Sequence, residues 1–183
     1  MGSSDRLASV RSTILILEPR LSARSTLRRV IEELEEAAVL HADTTAMGAE
    51  VLGSVRSDIA FVDLSFSGDS ALHFIAGIRQ GLYCDDHRLP IIAVGEARAD
   101  LFQRACNAGV HGFMASPYSR AGVALQLLRV RKDRRAFIET KTYIGPDRRR
   151  WNDPSFSGHD RRASETEQED ACTAPVDDAF YLS

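Results

Sequence analysis

No run of about 18 uninterrupted apolar residues occurs in the chain, so an ordinary membrane-spanning helix is excluded. The opening Met-Gly-Ser-Ser-Asp-Arg has no apolar signal-peptide core either, and a soluble protein of the cytoplasm is the expectation. Cysteine is scarce and odd in number. Cys84, Cys106 and Cys172 are scattered, which argues against a disulfide framework and fits a reducing compartment. Cys84 and His87 make a lone Cys-x-x-His with no second pair near in sequence, and chance explains it better than zinc. A glycine-rich phosphate loop is also missing. Glu18-Pro-Arg-Leu-Ser stands after the first strand-like run, which disfavours nucleotide enzymes of the Walker or dinucleotide kind. Ser65, Ser67 and Ser70 lack a Gly-x-Ser-x-Gly turn and a suitably placed histidine, so a serine hydrolase is disfavoured too. The histidines, His41, His73, His87, His111 and His159, are well separated, and His73 reads as a packed or partly exposed helix residue rather than a base.

What is present is enough apolar material for one ordinary domain plus an appendage: 183 residues, 44% hydrophobic. The formal net charge of -3 is unevenly spread. Residues 1–130 carry roughly -2, residues 131–163 roughly +5 and residues 164–183 roughly -6, the asymmetry of an interaction tail. Composition therefore divides the chain into a flexible N-terminus (1–11), a domain (12–135) and an extension (136–183). The extension is arginine-rich, then acidic, and is expected to be partly disordered.

Within the domain, apolar runs alternate with helical patterns. Thr13 to Pro19 reads as a short buried strand ended by proline, and Ser22 opens a helix with Leu27, Val30, Ile31 and Leu34 at helical spacing. A weak strand (Ala38 to His41), a helix (Thr44 to Leu52) and the strong strand Asp58-Ile-Ala-Phe-Val-Asp63 follow. Then come a helix (Ser70 to Arg79), a strand (Pro90 to Val94), a helix (Ala97 to Ala108), a strand (His111 to Ala115) and a helix capped by Ser119. Gly109 suits a helix C-cap, and residues 81–89 read as a surface loop. Five such units imply a parallel sheet covered on both faces. Asp63 then emerges at the C-terminal edge of that sheet, where ligand chemistry collects in open α/β folds.

Four places carry a resemblance: Ile14-Leu-Ile-Leu-Glu-Pro-Arg-Leu-Ser-Ala-Arg24, Phe61-Val-Asp-Leu-Ser-Phe-Ser-Gly-Asp-Ser-Ala-Leu72, Leu89-Pro-Ile-Ile-Ala-Val-Gly-Glu96 and Ala108-Gly-Val-His-Gly-Phe-Met-Ala-Ser-Pro-Tyr118. Together they resemble the receiver domains of bacterial two-component response regulators, over about residues 12–132. The resemblance implies a flavodoxin-like, five-stranded parallel sheet in the order 2-1-3-4-5. It puts Asp63 at the phosphoacceptor position and Glu18 as the survivor of an acid pair that holds Mg²⁺ with it. Three positions depart from the pattern. Pro19 replaces the second acid, Gly95 replaces the threonine or serine ending the fourth strand, and Ser116 replaces the lysine of a Lys-Pro pair. Phosphoryl transfer to a carboxylate depends on positioning and on charge stabilisation by metal and cation, and losing one such contact costs about 10²-fold or more. Losing two should nearly silence the reaction. No metal, or weak Mg²⁺ at Glu18 and Asp63, is expected, with Mg²⁺ as a cofactor only if Asp63 is phosphorylated.

The expected function is therefore a degenerate receiver-like adaptor. It would be non-enzymatic and independent of phosphorylation, and with no helix-turn-helix following it would have no output domain. The alternative is a phosphoacceptor regulator that takes its phosphoryl group on Asp63 from a histidine kinase. In receivers the face around the fourth helix, fifth strand and fifth helix serves partners and dimers, which points to Phe113, Tyr118 and the last helix. In that helix Ala121, Ala124, Leu125 and Leu128 are expected to pack inward. Arg120, Arg129, Arg131, Lys132, Arg134 and Arg135 would then leave a basic surface.

Beyond it, Gly145-Pro-Asp-Arg-Arg-Arg150 and Gly158-His-Asp-Arg-Arg-Ala163 share Gly-x-Asp-Arg-Arg. This is either a recurring ligand contact through Arg148, Arg149, Arg150, Arg161 and Arg162, or a set of Asp–Arg pairs solvating an arm. The partner is expected to be a signalling protein, a histidine kinase or another regulator, with a homodimer also compatible. Acidic residues interleaved in the arm weigh against nucleic acid.

Overall fold

The structure, a computed structural model, describes residues 12–148. Strands β1 (Ser12–Leu17), β2 (Ala37–Ala42), β3 (Ile59–Asp63), β4 (Ile91–Gly95) and β5 (Gly112–Ala115) form one parallel sheet in the order β2-β1-β3-β4-β5. Helices α1 (Leu21–Leu34), α2 (Thr45–Ser54), α3 (Ser70–Arg79), α4 (Ala99–Ala108) and α5 (Arg120–Arg131) complete the expected flavodoxin-like alternation.

The central strands are apolar throughout because both of their faces are covered. Leu15, Leu17, Ala60, Val62, Ile91 and Ala93 pack on one side with Leu52, Phe74, Ile75, Ile78 and Ala105 from α2, α3 and α4. Ile14, Ile16, Phe61, Ile92 and Val94 pack on the other with Leu27 and Ile31 of α1 and with Val123, Leu127 and Val130 of α5. Local signals set the helix starts. Thr44 Oγ1 accepts from the Met47 amide and Ser119 Oγ from the Gly122 amide, each satisfying an amide that the first helical turn leaves free.

In α5 the buried face differs from the expected one. Val123, Leu127 and Val130 are buried, whereas Leu125 and Leu128 are 45% and 49% exposed. The helix carries two apolar stripes at helical spacing. The sheet takes the one with two β-branched residues, which leaves Leu125 and Leu128 facing outward.

A second difference lies past residue 135, where the domain was expected to end. Strands β6 (Phe137–Glu139) and β7 (Ile144–Pro146) form an antiparallel hairpin. It docks around Arg79, the last residue of α3, which is buried to 3% exposure. Arg79 Nε donates to the Gly109 carbonyl (2.8 Å), and Nη1 donates to the carbonyls of His87 (2.8 Å) and Leu89 (2.9 Å). Its guanidinium lies 5.5 Å from the Phe137 ring centre, with Arg88 at 5.3 Å from the same ring. Glu139 pairs with His87 and Arg88. Gly109 has φ 95° and lies so close to β7 that a Cβ there would meet the Ile144 carbonyl oxygen at 2.4 Å. Sequence periodicity is blind to a hairpin of two three-residue strands whose seat is made by a distant arginine.

His111 completes this seat. Its Nδ1 accepts from the Ile91 amide (3.2 Å) and faces Arg79 Nη2 (3.2 Å), so the ring is neutral with its proton on Nε2. Burial, then the positive charge of Arg79, pulls its pKa from 6.5 down to about 4, with Arg135 adding to the fall and Asp133 opposing it. Burial likewise lowers Arg79 to about 10, which leaves it charged at neutral pH.

Two outcomes test this packing. Leu127→Ala should cost about 2–5 kcal/mol in urea denaturation, and Leu128→Ala should stay within about 0.5 kcal/mol; the reverse order would restore the expected face. The unfolded chain protonates His111 first, so its contribution to stability is present above about pH 6.5 and is lost as pH falls toward 4. Denaturation midpoints across that range should fall, and His111→Gln, which keeps an acceptor for Ile91, should flatten the fall.

Candidate functional site

Parallel strands bring their C-terminal ends to one edge, and here that edge gathers Glu18 after β1, Asp63 at the end of β3, Gly95 at the end of β4 and Ser116 after β5. Glu18 continues the ladder past β1, its amide donating to the Ala42 carbonyl (3.1 Å), and this holds its side chain inside the edge. Both acids are buried, at 3% and 2% exposure. Buried carboxylates need compensation, and one residue provides most of it.

That residue is Arg20, at the N-cap of α1. Its backbone amide and its Nε each donate to Glu18 Oε1 at 2.9 Å, and Nη2 donates to Glu18 Oε2 and Asp63 Oδ2 at 3.2 Å each. The hydrogen bond to Glu18, then the charge of Glu18, raises the Arg20 pKa against the cost of burial, and the charge of Asp63 adds a smaller rise. Asp63 Oδ1 accepts from the Ser65 amide at 2.7 Å. Every carboxylate oxygen of the pair therefore has a donor. Arg24 Nη1 adds a bond to the Glu18 carbonyl (2.8 Å), which ties α1 to the strand end. Pro19 lies exposed between Glu18 and Arg20 and offers no side-chain oxygen.

The far side of the edge is apolar. A Cβ on Gly95 would meet Leu101 Cδ2 at 2.9 Å, Leu64 Cβ at 3.5 Å and Phe113 Cζ at 3.7 Å, so Leu101 fills the place of a larger residue. Phe113 makes an edge-to-face contact with Phe102 of α4, ring centres 5.6 Å apart. The Ser116 amide donates to the Gly95 carbonyl (2.7 Å), and the Ser116–Pro117 bond is cis. Tyr118 turns inward over α1 and donates its hydroxyl to the Ala23 carbonyl at 2.9 Å. Burial, then the charges of Glu18 and Asp63, raises its pKa.

The sequence-derived positions thus fall into two groups. Asp63, Glu18, Pro19, Gly95, Ser116, Phe113 and Tyr118 meet at or beside the carboxyl edge. Arg148 lies elsewhere, its guanidinium 4.1 Å over the Tyr143 ring and bonded to Asn107 Oδ1 beside the hairpin. Arg149, Arg150, Arg161 and Arg162, together with the second Gly-x-Asp-Arg-Arg, lie outside the described residues. Sequence reading missed Arg20. The available signal was a cation two residues after the strand-end acid, in the loop where a second acid was expected.

No protein-family model matches the chain, and no curated protein is significantly similar to it in sequence. Solved structures do match in three dimensions, and they define the class: the fold is that of the response-regulator receiver domains. The chemotaxis protein CheY4 of Vibrio cholerae is 18% identical, with a TM-score of 0.59 over 66% of this chain and 98% of that one. A response regulator from Thermotoga maritima is 16% identical, with a TM-score of 0.60 over 68% and 100%. The receiver domain of a Pseudomonas aeruginosa sensor histidine kinase, solved with magnesium coordinated in its active-site cleft, is 20% identical, with a TM-score of 0.56 over 66% and 96%.

The residues at this edge do not fit magnesium, which wants several oxygen ligands at near-octahedral geometry. Only two acids converge, Arg20 holds their oxygens, and among the described residues no group of three or more His, Cys, Asp or Glu side chains comes together.

Gly95→Thr should destabilise the protein by roughly 1–3 kcal/mol through overpacking. Adding Leu101→Ala should recover part of the loss, and a double-mutant cycle in urea measures that coupling.

Proposed function

We propose that this chain is a receiver-fold adaptor that works by binding another signalling protein, without enzymatic activity and without phosphorylation of Asp63. The observation that carries this reading is the engagement of both Asp63 oxygens, Oδ1 by the Ser65 amide and Oδ2 by Arg20. A nucleophilic carboxylate needs a free oxygen and cations aimed at the incoming phosphoryl group. Ser116 brings no positive charge to that edge, and Gly95 brings no hydroxyl to respond to a phosphate. A conformational change needs differential contacts in two states.

The partner surface in this reading is the face of α4, β5 and α5. Leu125 and Leu128 stand exposed there on α5, Phe102 is 49% exposed on α4, and Arg129 borders them. A partner with an apolar centre and an acidic rim fits that composition; a histidine kinase or another regulator is the class we favour. In this reading Arg148 of the Asp-Arg-Arg arm gives the partner a further, separate contact beside the hairpin. A cytoplasmic location goes with this reading, and among the described residues no helix is long and apolar enough to cross a membrane.

The competing reading, a phosphoacceptor with Asp63 as nucleophile and Mg²⁺ recruited on phosphorylation, rests on Asp63 standing at the end of β3 beside Glu18. Mass spectrometry after incubation with Mg²⁺ and a small acyl phosphate separates the two. The adaptor reading expects no mass gain in either wild type or Asp63→Asn. A stoichiometric gain of one phosphoryl group in wild type, absent from Asp63→Asn, would sink it.

A further inference from the structure

The position of Arg20 is costly on local grounds. A cation at a helix N-terminus opposes the helix dipole, and Arg20 makes no side-chain cap bond to α1. Serine, threonine, asparagine or aspartate would serve that position better. The geometry shows what the arginine does there. Its planar fork meets Glu18 through Nε and Nη2, and the same Nη2 reaches Asp63. Among the described residues no other cation contacts either carboxylate.

We propose that the Arg20 guanidinium is an internal cation standing in the place of a divalent metal ion, clamping the end of β1 to the end of β3. The proposal rests on the adaptor reading and deepens it: the carboxyl edge is held in one state with no exchangeable ion. Two carboxylates lie in the edge with side chains 4% and 3% exposed, and a single fixed positive charge bridges them. A metal would need the same oxygens. Arginine suits this substitution better than lysine, because its rigid fork engages two acceptors at once and it stays charged in any usable pH range. The Arg20 side chain is 54% solvent-exposed, so removing it leaves a route by which a hydrated ion can reach the acids.

The test uses Mn²⁺ as a spectroscopic probe, with free ion measured by electron paramagnetic resonance in titrations of the full chain. Arg20→Ser removes the cation and installs a favourable N-cap, so α1 is preserved. Wild type should show no saturable binding at millimolar Mn²⁺. Arg20→Ser should bind one ion at least about ten-fold more tightly, because its two acids are then uncompensated. Arg20→Ser combined with Asp63→Asn should lose that binding. Thermal unfolding gives a second readout, in which added Mn²⁺ raises the midpoint of Arg20→Ser and leaves wild type unmoved. If Arg20→Ser does not fold, Arg20→Gln carries the same expectations with a longer side chain.

Mn²⁺ binding by wild type as tight as by the variant would overturn the proposal, as would a folded variant that binds no better than wild type. The phosphodonor result is independent of both. Wild type that takes no phosphoryl group while Arg20→Ser gains no metal sinks this inference alone, and phosphorylated wild type sinks the adaptor reading.

Discussion

Two carboxylates buried side by side set the terms for the carboxyl edge. Parallel β-strand architecture delivers Glu18 and Asp63 to one place with almost no access to water, and their mutual repulsion at that depth has to be offset by a positive charge. In the Pseudomonas receiver a magnesium ion lies in the corresponding kind of cleft. In this chain a side chain already in the β1–α1 loop meets the same demand. Around it, Pro19 is exposed, Leu101 occupies the space beside Gly95, and Ser116 takes part through its backbone. Both oxygens of Asp63 are engaged at this edge, one by a backbone amide and one by Arg20.

Most of the fold was legible because it is written in burial patterns longer than any local ambiguity. Continuous apolar runs, Gly109 and the capping residue Ser119 mark the β/α alternation, and the structure shows that alternation with the strand order the resemblance implied. The inward face of α5 was not legible, since Ala121, Leu125 and Leu128 repeat at the same spacing as Val123, Leu127 and Val130, and only the opposing sheet can choose between them. The hairpin was hidden for a different reason. Its residues carry no strong pattern of their own, and they are ordered by Arg79, which lies about sixty positions earlier in the chain. Asp63 and Glu18 were readable from strand ends. Arg20 was not, because its meaning depends on an acid that parallel pairing brings in from β3.

Arginines that satisfy buried oxygens thus appear twice in the logic of this protein, at opposite ends of the sheet. Arg20 neutralises carboxylates at the ends where strands finish. Arg79 collects backbone carbonyls at the ends where β4 and β5 begin, and with His111 and Phe137 it fastens the hairpin to the domain. The first is partly open to solvent and charged under all ordinary conditions. The second sits beside an imidazole whose proton uptake is opposed by the arginine itself.

The placement of the hairpin separates the two ends mechanically. The five residues of β3 span roughly 17 Å, and the hairpin, with Arg148 stacked on it, is rooted beyond the far end of that span from Asp63. Changes at the acid edge therefore reach the seat of the hairpin only along close-packed strands that resist deformation. The two ends of the strands thus carry separately fastened arginines, one on carboxylates and one on backbone carbonyls, joined through the same close-packed sheet.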